Sequence, residues 1–97
     1  MIILKDYYEL LMNRDIPTEE AAEMRREALN RYEQKLLAQG WHLSIGEGGV
    51  ISPDDSTVLY TTRSPYNGQL FQNSREGEKS FVLIKNELIK SGDFKEV

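Results

Sequence analysis

The side chains able to do chemistry are few. The one histidine, His42, stands between Trp41 and Leu43, and the chain has no cysteine. Without thiols there is no nucleophilic sulfur and no sulfur-ligated metal, and one imidazole cannot serve a site that needs two. Asp54 and Asp55 come closest to an acid–base or cation-holding pair. Glycosidase-type chemistry, however, needs carboxylates facing each other across a cleft, and a cation needs converging oxygens. Adjacent acids in Ser52-Pro53-Asp54-Asp55-Ser56 read as turn formers, with proline at the second position of a type I turn. Gly46-Glu47-Gly48-Gly49 lacks the lysine and following helix of a phosphate loop, because Val50-Ile51 continues as strand. No catalytic residue, metal ligand or cofactor is assigned.

Contact chemistry is better represented. Glu19, Glu23 and Glu27 recur every four residues on a helical pattern, with Glu20 beside them. Acids in the first turn complement the helix dipole, but Glu27 lies beyond its reach, and like charges at i, i+4 repel. Pairing of Glu23 with Arg26 and of Glu27 with Arg31 would recover part of that cost. The stripe reads as a solvated face that can dock a basic partner. A second asymmetry is that Ser56 to Arg75 contains no acid, while it carries Arg63, Arg75, Tyr60, Tyr66, Asn67, Gln69, Phe71, Gln72 and Asn73. Arginine, tyrosine and amides around a turn match the composition of recognition surfaces. Arg63, Tyr66, Asn67, Gln69 and Arg75 are the candidate contacts there, and Tyr66, on Ser64-Pro65-Tyr66-Asn67-Gly68, is the aromatic expected to be exposed.

The elements that must position these residues follow from periodicity. Leu4, Tyr7, Tyr8 and Leu11 have helical spacing, so the first dozen residues read as a short amphipathic helix. Thr18, before Glu19 and Glu20, reads as the N-cap of a second helix. Ala21, Met24, Ala28, Leu29, Tyr32 and Leu36 form its apolar stripe, and Gly40 ends it with Trp41 folded back on Leu36. Trp41, Leu43 and Ile45 alternate as a strand that enters a hairpin at the glycine cluster. Thr57 to Thr62 is the strongest β segment, and Gln69 to Asn73 is one more short strand. Ser80 to Ser91 reads as a last helix closed by Gly92, although Phe81-Val82-Leu83-Ile84 also suits a strand. Residues 93–97 read as a frayed tail.

With 97 residues, 39% apolar and 29% charged, there is room for one folded domain with one core. The expected class is α+β, in α-α-β-β-β-α order, with the helices on one face of a short antiparallel sheet. Val58, Leu59 and Tyr60 place apolar groups on both faces of their strand, and a homodimer through Thr57 to Thr62 would cover the spare one. The net charge of −4 argues against general nucleic-acid binding. The first residues lack a secretory signal pattern and no stretch is long enough to span a membrane, so the cytoplasm is expected.

The expected function is a stoichiometric protein-binding module, acting as inhibitor, adaptor or regulator. Phage-borne inhibitors of host defence share this format in size and charge. The alternative is nucleic-acid binding, because the α-β-β-β-α order is also the topology of the double-stranded-RNA-binding domain. That family's lysine cluster is matched here only by Arg75, Lys79 and Lys85, interrupted by Glu76 and Glu78. An enzyme working through carboxylates and tyrosines alone ranks third.

Overall fold

Helix termination at Gly40 organises the first half of the chain. In the computed structural model, which describes residues 1–62 and 64–97, Gly40 takes φ +96°. Its N–H donates to the Leu37 carbonyl at 3.1 Å, and the Trp41 N–H donates to the Leu36 carbonyl at 3.1 Å. These are the paired bonds of a Schellman ending, and they set Trp41 into the same core cluster as Leu36.

The elements are β1 (Ile2–Leu4), α1 (Lys5–Met12), α2 (Thr18–Ala38), β2 (His42–Ser44), β3 (Gly49–Ile51), β4 (Thr57–Tyr60), β5 (Leu70–Gln72), α3 (Glu78–Lys90) and β6 (Phe94–Glu96). Strands β2 to β5 form an antiparallel meander in chain order, and β1 pairs with β6. A bridge between Ile3 and Gln69 ties the pair to the start of β5. The α+β class therefore holds, with four strands rather than three between α2 and α3 and a strand added at each terminus.

Register decides the faces. Val50 lies opposite Leu59, and Leu59 opposite Leu70. This row joins Leu29, Tyr32 and Leu36 of α2 in one core cluster, with Phe81, Ile84 and Leu88 of α3 packed against it. Both helices thus cover the same face. Ile51, Val58 and Phe71 form the in-register row on the other face. The apolar run Phe81-Val82-Leu83-Ile84 is helix, because only one side of it meets the core while Leu83 stays exposed.

Local expectations failed in three places. The first residues are not helix: Ile2–Leu4 pair with β6, and the Leu4 N–H donates to the Gly68 carbonyl at 2.7 Å. The expected helix forms only from Lys5 to Met12, where it carries Tyr7, Tyr8 and Leu11, while Leu4 is buried from the strand and Leu11 is exposed. Thr18 is the first helical residue rather than the cap; Pro17 precedes it, and the Pro17 carbonyl accepts from Ala21 at 2.9 Å. The tail is ordered, since Phe94 opens β6 and is 2% exposed. Strand β4 is flanked by β3 and β5, so both edges of Thr57–Tyr60 are hydrogen-bonded within the chain, and a homodimer through this segment would have to use its face.

Candidate interaction face

The turn after β4 is built by its own polar groups. The Tyr66 N–H donates to Ser64 Oγ at 2.9 Å, the Gln69 N–H to the Tyr66 carbonyl at 2.9 Å, and the Gly68 N–H to the Tyr60 carbonyl at 2.8 Å. Gly68 has φ +84°, and a Cβ there would stand 2.8 Å from the Tyr7 ring. Only glycine meets both conditions. The turn is therefore fixed against α1 and β1 rather than loosely appended.

Fixing the turn puts Tyr66 over the sheet face that the helices leave open. Its ring lies 5.9 Å from Tyr60 and 5.4 Å from Phe71, and Tyr60 and Phe71 are 5.5 Å apart, with both contacts of Phe71 edge-to-face. Such pairs hold their geometry by quadrupole attraction as well as by burial. Tyr66 is 51% exposed and Phe71 37%. In the same row, Val58, between Ile51 and Phe71, is only 2% exposed.

Polar groups border this patch. His42 Nε2 lies 3.4 Å from Asp55 Oδ1, with both side chains more than half exposed. Asp55 takes φ +63° and follows a turn in which its N–H donates to the Ser52 carbonyl at 2.9 Å, so the predicted type I turn forms and the next residue is left-handed. Asn73 Nδ2 donates to the Asp55 carbonyl at 2.9 Å. Among the described residues no three His, Cys, Asp or Glu side chains gather as a metal site would require. The His42–Asp55 approach had no signal in sequence; it arises from the β2–β3 register.

The other candidate residues separate. Asn67 turns away from Tyr66 toward the helix side, where its Oδ1 is buried. Gln69 is half-buried in the bridge to Ile3. Arg75 is exposed in the single 3-10 turn, Arg75–Gly77, that leads into α3. Arg63 lies outside the described residues. Glu19, Glu23 and Glu27 are exposed on α2, across the sheet from the aromatic patch. The expected pairing of Glu23 with Arg26 and of Glu27 with Arg31 does not form, since the ion pairs within 4.0 Å among the described residues are Lys35–Asp93 and His42–Asp55.

No helix among the described residues is long and apolar enough to cross a membrane. Comparison of the chain with protein-family models, with curated proteins and with solved structures gives no significant match.

Proposed function

We propose that this chain is a stoichiometric protein-binding module, an inhibitor, adaptor or regulator that docks through the open sheet face around Tyr66. The observation that carries this reading is the trio Tyr60, Tyr66 and Phe71, with the Tyr66 ring exposed on a hydrogen-bonded turn, the Phe71 ring exposed on β5, and a polar border of His42, Asp55 and Asn73. Clustered aromatics with a polar rim are the anatomy of an interface hot spot, where large rings bury much area at little entropic cost. The acidic stripe on α2 is a separate surface and is not needed for this contact.

The test is capture from a nuclease-treated lysate of the source cells, with Tyr66→Ala beside the wild type. The expected result is a protein enriched by the wild type and lost with Tyr66→Ala, whose melting temperature stays within about two degrees because the ring is half exposed. A hot-spot truncation of about 2 kcal/mol corresponds to roughly thirtyfold in affinity. Equal recovery by both chains would return Tyr66 to an ordinary turn residue. Recovery of nucleic acid alone from untreated lysate would overturn the reading in favour of duplex binding.

A further inference from the structure

On the opposite side of the sheet, where the first half of α2 passes over the end of β4, lies a groove of about 400 Å³. Its polar lining comes from Arg25, Arg26, Thr61, Thr62 and Asn67, with the Tyr7 ring at one side. Among the described residues no carboxylate lines it, in a chain where Asp and Glu number 16 against 12 Lys and Arg. Glu27 and Glu33 line an adjoining hollow, which shares Arg26, Thr61 and Thr62 with the groove. Neither Arg25 nor Arg26 belongs to an ion pair among the described residues. The Arg25 guanidinium is carried over the Tyr7 ring, 6.0 Å from its centroid, which orders a long side chain without using its N–H donors.

A second, independent feature lies in the same groove. Thr61 is 8% exposed, yet its Oγ1 has no hydrogen-bond partner, and neither does the buried Oδ1 of Asn67. They are the buried side-chain polar atoms without partners among the described residues, and both residues line this groove. Native structures rarely leave such atoms unmatched, and they are usually satisfied by water, an ion or a ligand.

We infer that the groove binds a phosphate group that carries a hydroxyl, either hydrogen phosphate or a small hydroxyl-bearing phosphate ester. The guanidinium groups and the Thr61 hydroxyl supply donors to several oxygens at once, more than the two oxygens of a carboxylate require, and the pair of positive charges balances a dianion. Asn67 Oδ1 needs a donor, which a ligand O–H provides. A groove of this volume has room for a ligand of that size. The inference is independent of the protein-docking reading, because it concerns the other face and needs no partner.

The test follows backbone amide shifts by NMR while inorganic phosphate, ribose 5-phosphate or acetate is titrated at constant ionic strength. The expected result is saturable movement of the Thr61, Thr62 and Asn67 amides, with ribose 5-phosphate binding more tightly than phosphate and acetate not saturating. Arg25→Gln combined with Arg26→Gln should weaken the phosphate ester at least tenfold. Thr61→Val, which keeps the shape and removes the unmatched hydroxyl, should raise the melting temperature of the free protein while weakening the ester several-fold. Non-saturating shifts for both phosphates, equal binding of acetate, or unchanged affinity in the arginine variant would each overturn the assignment.

Discussion

Ser52, Asp54, Ser56 and Thr57 connect through short polar bonds beneath the start of α3. Asp54 Oδ1 accepts from Ser52 Oγ at 2.7 Å and from the Ser56 N–H at 3.0 Å, and Ser52 Oγ accepts from the Thr57 N–H at 3.0 Å. Hydrogen bonds from the Ser56 side chain, the Ser52 hydroxyl and the Ser56 N–H hold the Asp54 carboxyl down to about 2, from an ordinary 3.8. A carboxylate depressed on folding stabilises the fold wherever it is ionised in both states, which is above its unfolded value. That contribution is lost as pH falls through the folded value. Asp54→Ala should therefore lower the urea midpoint at neutral pH, and its gap from the wild type should close between about pH 4 and about pH 2. A gap that stays constant over that interval would mean the side chain acts by shape rather than by charge. The acidic pair that suggested acid–base chemistry thus divides its work: Asp54 is committed inside the turn, while Asp55 faces outward to His42.

At the scale of elements, two glycines three residues apart separate what a turn requires from what packing requires. Gly46 has a negative φ and open space for 4 Å around the point a Cβ would occupy, whereas a Cβ on Gly49 would overlap the Leu59 carbonyl across the β3–β4 ladder. Gly46→Ala should change stability by less than about 0.5 kcal/mol, and Gly49→Ala should cost about 1–3 kcal/mol through overpacking against backbone that cannot yield. Equal melting temperatures for the two variants would contradict this register. The sequence cluster announced a turn but could not say which glycine the sheet needs, because that depends on the neighbouring strand. The end of α2 was legible for the converse reason, since Leu36, Gly40 and Trp41 declare it within a few residues. Leu36→Ala should cost about 2–5 kcal/mol, and a melting temperature equal to wild type would refute its place in the core. Tyr66 was legible in the same local way from Pro65 and Gly68. Thr61, Arg25 and Arg26 were not, because nothing local brings the start of α2 over the end of β4.

The whole molecule is closed by contacts between its most distant segments, and this is where local patterns mislead. Ile2 pairs with Glu96, Ile3 with Lys95 and Leu4 with Phe94. The Lys5 N–H donates to the Asp93 carbonyl at 2.9 Å. Asp93 also accepts from Tyr32 Oη at 3.0 Å, Lys35 Nζ at 3.2 Å and Ser91 Oγ at 3.1 Å, tying α2 to the turn before β6. Burial pushes the Asp93 carboxyl upward, but the hydrogen bonds from Lys35, Tyr32 and Ser91 outweigh it and leave the group below its ordinary range. The Phe94 ring meets Tyr32 edge-to-face at 5.3 Å inside the shared core. Truncating such a ring costs about 3–5 kcal/mol, against a total of about 5–15 kcal/mol for a domain. Phe94→Ala should thus lower the urea midpoint sharply, and deletion of residues 94–97 should remove most of the cooperative transition, since β1 loses its ladder partner as well. Glu96→Ala, at an exposed position of the same strand, should leave the midpoint close to wild type. A deleted chain that unfolds at the wild-type midpoint would make 94–97 dispensable, and Ile2–Leu4 would then have only the Ile3–Gln69 bridge and the Leu4–Gly68 bond to keep it extended.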